Sequence, residues 1–232
     1  MAEPVQLATV LSATNLTPNV RQLVLQPQHK LDFSPGQWVS LKLPVGPHPP
    51  LTRAYSMAEP ASPAGTLTLV FDRVPHGLGS TYLFQLQVGD TVSLSGPYGH
   101  FLSPQLLDRE LLCITRYTGL VPIHCLLKAW KATRHRMPVF LIAVGPAEDE
   151  LLYHFELLTL AVTCSVFHYF PLVTSTDTAA VAQVIDVLRP WLRSHHHAQP
   201  LLCGTKPFVH PLRQYLMEAG YARKEIRVET YG

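Results

Sequence analysis

The sequence predicts a β + α/β protein, with an antiparallel β-barrel over residues 1–102 and a doubly wound parallel-sheet α/β domain over residues 103–232. Its 232 residues are enough for two modest domains. Near residue 103, short strands divided by Pro, Gly and Asn give way to strands that alternate with helices. The strand runs of the second half are continuously apolar, which is typical of strands buried on both faces.

The barrel is predicted from short runs of β-branched and apolar alternation at regular spacing. The predicted strands are Val5–Leu11, Val20–Leu25, Gln37–Leu43, Thr52–Ala58, Thr66–Phe71 and Thr91–Ser95. One short helix, from Gly79 to Gln87, interrupts them.

The α/β domain is predicted from a strand-then-helix order, which favours a parallel sheet with helices on both faces. The predicted strands are Leu111–Thr115, Val139–Val144, Cys164–Phe170, Leu201–Gly204 and Ile226–Glu229. The predicted helices cover residues 120–133, 149–160, 178–193 and 208–219.

Composition excludes several classes of function. With 47% hydrophobic residues, 15% charged residues and a net charge of +2, the chain has no electrostatic case for binding nucleic acid. We expect no membrane span, because no apolar run is long enough, and no signal peptide at Met1–Pro4.

The four cysteines, Cys113, Cys125, Cys164 and Cys203, are widely spaced and lie mostly in apolar runs. This favours buried thiols in the reducing cytoplasm over disulfides, and it provides no cluster for an iron–sulfur centre. The run His195–His197 is read as a solvated loop, so we expect no metal site.

The strongest local signal is Arg53-Ala54-Tyr55-Ser56 on a predicted strand. Alternation places Arg53 and Tyr55 on one face. A guanidinium suits a phosphate oxygen, a phenol ring suits stacking with a flavin, and the Ser56 hydroxyl both donates and accepts hydrogen bonds. Taken alone, the segment fits an ordinary barrel strand, with an exposed Arg and a half-buried Tyr, better than it fits a flavin site.

A second signal is His76-Gly77-Leu78-Gly79-Ser80-Thr81, directly before the short helix. Gly77 and Gly79 permit close backbone approach, and Ser80 is the predicted N-cap. The N–H groups of such a helix start attract a pyrophosphate. The alternative is a plain loop with a capped helix.

These segments, followed by Gly96-Pro97-Tyr98-Gly99-His100-Phe101, resemble the ferredoxin–NADP reductase superfamily, without an iron–sulfur domain. In that family an R-x-Y-S strand holds the flavin, a G-x-G-S/T helix start holds the FAD pyrophosphate, and a G-P-x-G-x-F turn ends the flavin domain. The resemblance covers nearly the whole chain. It implies that FAD is bound by Arg53, Ala54, Tyr55, Ser56, Gly77, Gly79, Ser80 and Thr81.

In the second domain the resemblance is altered. The family's G-T-G-[IL]-A-P turn appears as Tyr117-Thr118-Gly119-Leu120-Val121-Pro122, with Tyr117 in place of the first glycine. That tyrosine would crowd the nicotinamide site or move as a lid, and Arg116 beside it is a candidate phosphate ligand. The segment Gly145–Tyr153 lacks the family's arginine, and Glu148–Glu150 are interpreted as a helix start.

The resemblance also assigns roles near the C-terminus. Cys203-Gly204 is similar to the family's C-G-P-x-x-M motif, and Glu229-Thr230-Tyr231 is similar to its terminal E-x-[FY]. The implied catalytic residues are Ser56, Cys203 and Glu229. The residues implied to bind the nicotinamide dinucleotide or cover the flavin are Thr118, Gly119, Gly204 and Tyr231.

The resemblance therefore implies an oxidoreductase that passes electrons from NADH or NADPH through FAD to an acceptor, such as a ferredoxin-type protein or a small molecule. A rival hypothesis is a flavin-binding regulatory or electron-transfer subunit that has lost nicotinamide use. A third is a structural protein that binds no flavin.

Overall fold

A computed structural model of the chain describes residues 4–46, 49–102, 104–133, 136–193 and 197–231. Two compact units are formed, one from the chain up to residue 103 together with residues 121–129, the other from residues 104–120 and 130–232. His195 and His196 lie outside the described residues, so the predicted loop there stays a prediction. Among the residues described, no helix is both long and apolar enough to cross a bilayer.

The first unit is built on an antiparallel sheet of six strands. The strands are β1 (Gln6–Thr17), β2 (Val20–Pro27), β3 (Trp38–Leu43), β4 (Leu51–Ser56), β5 (Leu67–Asp72) and β6 (Thr91–Tyr98), and the helix α1 (Leu78–Gln85) follows β5. Their order is β4-β3-β6-β1-β2-β5. A bridge between Met57 and Leu69 links the two outer strands, so the sheet curls into a barrel around buried aliphatic residues.

The second unit contains a parallel sheet of five strands. These are β7 (Leu111–Arg116), β8 (Val139–Gly145), β9 (Phe167–Val173), β10 (Gln199–Thr205) and β11 (Arg227–Tyr231), in the order β11-β10-β7-β8-β9. The helices of the chain after β7 are α2 (Leu120–Lys131), α3 (His154–Thr163), α4 (Asp177–Trp191) and α5 (Lys206–Glu218). Because the chain starts in the centre and winds outwards in both directions, the predicted fold class is confirmed.

The burial of the parallel strands explains their composition. Every residue of β7 and β8 is buried, which matches their near-continuous apolar sequence. One face packs on α4 and α5 through residues such as Val184, Leu188 and Phe208. The outer strand β9 is less buried: after the buried Phe167 its residues are half-buried or exposed, as expected of an edge strand.

Two adjoining boundaries were predicted wrongly in the α/β half, at its second helix and its third strand, and β1 in the barrel extends to Thr17 instead of ending at Leu11. The helix predicted over 149–160 begins only at His154, because Tyr153 adopts a left-handed conformation with φ of 54° and a 3-10 turn occupies Glu148–Glu150. The helix then continues to Thr163, so the strand predicted from Cys164 begins at Phe167. Helical periodicity alone did not reveal this interruption, since leucines occur on both sides of it.

Candidate functional site

Arg53 and Tyr55 lie on the same face of β4, as alternation predicts. In the β3–β4 ladder Arg53 is opposite Leu41 and Tyr55 is opposite Val39. Paired residues share a face of the sheet, so both side chains leave β4 on the side of the barrel core. Arg53 lies near the open edge and is exposed, with one Nη1 donor to the Thr52 carbonyl at 2.9 Å. Its remaining donors face solvent, where an anionic ligand can reach them.

Tyr55 is half-buried and its ring packs against Phe71, with the centroids 5.5 Å apart and the planes at 60°. Burial raises the pKa of the Tyr55 phenol to about 12, partly countered by the nearby Arg53 charge. The phenol is therefore a neutral hydrogen-bond donor at physiological pH. Ala54 and Ser56 share the other face of β4, where Ala54 is exposed and Ser56, at the end of the strand, is buried.

The start of α1 differs from the prediction. The N-cap is Gly77, in an extended conformation, and the helix begins at Leu78, so Ser80 is its third residue and the predicted Ser80 cap is wrong. The Ser80 hydroxyl instead accepts from the Val74 N–H at 3.1 Å and donates to the Gly77 carbonyl at 3.1 Å. It fixes the loop that precedes the helix.

The first turn of α1 lies against β4 beside Arg53. A Cβ atom on Gly79 would be 3.1 Å from Leu43 Cδ1, 3.2 Å from Leu51 Cδ2 and 3.7 Å from Arg53 Cγ. Glycine therefore lets the helix approach the strand closely. The N–H groups of a first helical turn have no partners within the helix. Together with the Arg53 guanidinium they form a cradle suited to a diphosphate, and Thr81 is exposed next to it.

In the second unit, two predicted glycines lie where the turn after β7 meets β10. A Cβ atom on Gly119 would be 2.3 Å from the Cys203 carbonyl oxygen, and one on Gly204 would be 2.6 Å from Arg116 Cβ. Gly204 also has a φ of +154°. Strand order reverses between β7 and β10, and the crevice at such a switch point is where open α/β sheets bind ligands. Thr118 is half-buried in the 3-10 turn beside Gly119.

Cys203, Glu229 and Tyr231 are joined by hydrogen bonds at the ends of β10 and β11. Cys203 is opposite Glu229 in the parallel register. The Cys203 thiol donates to Tyr231 Oη at 3.3 Å, and Tyr231 Oη donates to Glu229 Oε1 at 3.1 Å. Burial, reinforced by the Glu229 charge, raises the pKa of the Cys203 thiol well above its ordinary value. The thiol therefore stays protonated, and the three side chains form one hydrogen-bonded chain.

Arg116 does not point outward to a phosphate; it is 7% exposed and paired within the unit. Its Nε donates to Asp177 Oδ1 at 3.0 Å, and its Nη1 donates to the Val144 carbonyl at 3.3 Å. The second oxygen of Asp177 accepts from Thr205 Oγ1 at 2.6 Å. Arg116, the candidate phosphate ligand, is thus buried, and its hydrogen bonds, with that from Thr205, link the ends of β7, β8 and β10 with α4.

Tyr117 occupies the position of the family's glycine with a φ of +51°, a left-handed conformation that glycine adopts at little cost. Its hydroxyl donates to Glu150 Oε2 at 2.5 Å. Glu150 is 5% exposed, and Glu148–Glu150 form a 3-10 turn that ends before the helix begins at His154, so their interpretation as the start of that helix is wrong. The crevice between Tyr117, Glu150 and the ends of β7 and β8 has a volume of only about 10 Å³.

Sequence reasoning missed the acidic and hydroxyl partners Asp177, Thr205 and Glu150. A signal was present for two of them. Asp177 follows β9 and Thr205 ends β10, and the carboxyl ends of parallel strands meet at one edge of the sheet. It also missed two contacts of α2 within the first unit: His124 Nδ1 lies 3.2 Å from the Ala58 carbonyl oxygen, and Lys128 pairs with Glu59 at 2.7 Å.

Known proteins resemble this chain in sequence. Residues 7–102 match the family described as the oxidoreductase FAD-binding domain. Ferredoxin–NADP reductase B of Sorangium cellulosum is 28% identical over 245 aligned residues, which cover 99% of this chain and 98% of that protein. The electron transfer component of toluate 1,2-dioxygenase of Pseudomonas putida is 31% identical over 195 residues, 83% of this chain. This chain spans only 56% of the toluate component.

The fold also matches solved structures. The ferredoxin–NADP⁺ reductase of Plasmodium falciparum superimposes with a TM-score of 0.85 at 16% identity, over 97% of this chain and 95% of that one. The ferredoxin reductase in carbazole 1,9a-dioxygenase superimposes with a TM-score of 0.80 at 23% identity, over 99% of this chain and 70% of that one. Residues 7–102 thus match the oxidoreductase FAD-binding domain family, and the whole chain is similar in sequence to a ferredoxin–NADP reductase and shares the fold of that class.

Proposed function

We propose that this protein is an NAD(P)H-dependent flavin oxidoreductase, which passes electrons from NADH or NADPH through bound FAD to a partner protein, such as a ferredoxin, or to a small acceptor. The observation that carries the proposal is the match to an FAD-binding domain over residues 7–102, in which Arg53 lies beside the first turn of α1. Relatives of this chain are named as electron transfer and ferredoxin reductase components. In this proposal residues 1–102 bind FAD and residues 103–232 bind the nicotinamide dinucleotide.

The residues of the barrel fit a flavin dinucleotide. Arg53, the N–H groups of Gly79 and Ser80 and the Thr81 hydroxyl would bind the diphosphate, because the Thr81 N–H already donates to the Gly77 carbonyl at 3.0 Å. Gly77 lets the loop turn tightly before the helix. The ring of Tyr55 offers an apolar surface to the flavin. Ser56, with the backbone at Ala54, would meet the polar edge of the ring. A bound flavin would accept a hydride from the nicotinamide and release electrons to the acceptor.

The second unit would supply the nicotinamide site and a hydrogen-bonded set of side chains beside it. Thr118, Gly119 and Gly204 leave the backbone accessible at the switch point. Cys203 holds its proton against Tyr231, and Tyr231 holds its own against Glu229. These groups can orient a polar substituent while the thiol stays protonated.

Three observations around Tyr117 favour the rival, a flavin-binding subunit without nicotinamide use. Tyr117 is bonded to Glu150, Arg116 is bonded to Asp177, and the crevice beside Tyr117 is too small for an aromatic ring. A nicotinamide dinucleotide has to displace at least the Tyr117 side chain to use this crevice. The rival therefore differs from the proposed function in the nicotinamide step and agrees with it on flavin binding.

Two measurements test the proposal. The flavin released from denatured protein, identified by chromatography, should be FAD; a preparation that is colourless and binds neither FAD nor FMN would contradict flavin binding altogether. Mixing the yellow protein anaerobically with NADH and with NADPH in a stopped-flow instrument should bleach the flavin. Retained FAD without bleaching by either dinucleotide would reject the oxidoreductase and support the subunit.

We also propose a cytoplasmic location. It is supported by the four free cysteines, of which Cys113, Cys125 and Cys203 are buried and Cys164 is half-buried, as expected of thiols in a reducing compartment. Imaging of the tagged full-length protein by fluorescence tests it, and an extracellular signal would contradict it.

A further inference from the structure

Helix α3 presents an apolar stripe to solvent. Phe155 is 82% exposed and Val162 is 87% exposed, the two most exposed large apolar side chains among the described residues. They are seven residues apart, two helical turns, so they lie on one face, with Leu158 beside them at 38% exposure. The opposite face of α3 is buried through Leu157 and Leu160. A helix that is apolar on both faces is typical of one covered on both faces.

The two threonine hydroxyls of this outer face donate to carbonyls of their own helix. Thr159 Oγ1 donates to the Phe155 carbonyl at 2.8 Å, and Thr163 Oγ1 donates to the Thr159 carbonyl at 2.7 Å. Each hydroxyl is turned back onto its own helix, so neither hydroxyl proton needs an acceptor from a partner. The face is therefore suited to dry packing.

Beside the stripe lies a groove of about 430 Å³. The groove is lined by Lys131, Arg136, Phe155, Glu156, Thr159, Leu160, Thr163 and Cys164. Its acid, Glu156, is at the start of α3. One of its bases, Arg136, is at the other end, since Arg136 Nη1 lies 3.9 Å from the sulfur of Cys164, the residue after the helix. The surface therefore combines the exposed Phe155 ring, a groove and side chains of opposite charge.

We propose that this face, defined as the α3 surface (Phe155, Glu156, Leu158, Thr159, Val162 and Thr163 with Lys131 and Arg136), is the interface of a homodimer. A two-fold axis near Thr159 would set two α3 helices antiparallel. Phe155 of each copy then enters the groove near Thr163 of the other, and each Glu156 meets Arg136 of the other copy. An antiparallel pair also aligns the helix dipoles favourably. A parallel pair would place like charges together, so the charge pattern selects the antiparallel arrangement.

The expected association is modest. One ten-residue helix is about 15 Å long, so the pair buries less than the roughly 1,600 Å² of a standard stable interface. We expect a reversible dimer that dissociates on dilution. This inference concerns a surface remote in sequence from the proposed cofactor residues and is independent of the proposed function.

Sedimentation velocity of the full chain over a wide concentration range tests the proposal. The average mass should rise from 25.8 kDa towards twice that value. Phe155→Ser and Val162→Ser should each weaken association by roughly tenfold or more, as truncation of central apolar interface residues does. Val88→Ser is the matched control, because Val88 is 68% exposed in the other unit and should leave association unchanged. A monomer at every concentration, or a dimer insensitive to both serine variants, would overturn the proposal.

A charge exchange tests the two-fold axis itself. Glu156→Arg and Arg136→Glu should each weaken the dimer, and the double variant should restore it, with thermal unfolding measured alongside to separate association from folding. Failure of the double variant to recover would reject the antiparallel pairing. The alternative occupant is a lipid surface: flotation of the monomer with vesicles containing phosphatidylserine, lost in Val162→Ser, would overturn the homodimer.

Discussion

The hydrogen bond from Tyr117 to Glu150 makes a sharp prediction about nicotinamide binding. Tyr117→Phe removes the hydroxyl but keeps the ring. The bond is 2.5 Å long and its acceptor is 5% exposed. A hydrogen bond to a charged group contributes about 1.5–3 kcal/mol. If the side chain must leave Glu150 before the dinucleotide enters, that amount opposes binding in the wild type.

Since 1.4 kcal/mol corresponds to a factor of ten in affinity, Tyr117→Phe should tighten nicotinamide binding by roughly 10- to 100-fold. Tyr117→Gly should bind as tightly or more tightly. Glycine also relieves the left-handed backbone at φ +51°, which costs an ordinary residue about 1 kcal/mol. The assay is anaerobic titration of the FAD-loaded protein with NADH and NADPH, followed by stopped-flow measurement of flavin reduction.

Tyr169→Phe is the matched control. Tyr169 is on the outer strand β9, and its hydroxyl lies 3.1 Å from His154 Nδ1. The same substitution therefore removes a tyrosine hydrogen bond in the same unit that does not involve Tyr117. Nicotinamide affinity should not change in this control. If Tyr117→Phe binds no better than wild type while Tyr117→Gly does, the bulk of the ring is the obstacle and the reasoning from the hydrogen bond is refuted.

Three further predictions concern flavin retention, packing and alkaline stability. Arg53→Ala should weaken FAD binding by roughly 10- to 100-fold in a fluorescence titration, whereas Lys42→Ala, exposed on β3, should not; equal losses would remove Arg53 from the diphosphate site. Gly119→Ala should lower the free energy of unfolding by about 3 kcal/mol in denaturant, because its Cβ meets the Cys203 backbone at 2.3 Å; a smaller loss than in Gly79→Ala, whose nearest neighbours are side-chain ends at 3.1 and 3.2 Å, would be inconsistent with this. Burial raises the pKa values of Cys113, Cys125 and Cys203 above the ordinary value of 9.0, so the folded state keeps protons that the unfolded state releases at high pH. The free energy of unfolding should therefore be full below pH 9 and fall above it. Each thiol should contribute a loss of about 1.4 kcal/mol between pH 8 and pH 10. Cys113→Ala should flatten that fall by about one thiol's share in urea unfolding, and an unchanged pH dependence would contradict the assignment.

The order and type of the elements could be predicted because burial imposes regular patterns on the sequence. The strands β7 and β8 are buried throughout, and their apolar runs identified them. The interruption before α3 could not be predicted in this way. It depends on the left-handed backbone of Tyr153, which leaves no trace in the hydrophobic pattern around it.

The candidate site divides along a similar line. The glycines at positions 79, 119 and 204 could be predicted from motifs, and the structure explains each by a close approach to a neighbouring strand. The role of Arg116 could not be predicted, because a buried ion pair depends on which side chains the fold brings together. Asp177 is 61 residues away in sequence and meets Arg116 only when β7 and α4 pack together.

The two halves of the site therefore differ in what remains available for a ligand. Arg53 donates to one local carbonyl and is exposed, so an anion gains its charge without breaking another ion pair. Arg116 is 7% exposed, and its carboxylate partner also holds Thr205. Removing one member of such a buried pair costs about 3–5 kcal/mol, more than a single phosphate contact returns. The physical expectation is that a phosphate binds the backbone N–H groups of Thr118 and Gly119 while the Arg116–Asp177 pair stays intact, so that Tyr117 alone has to move.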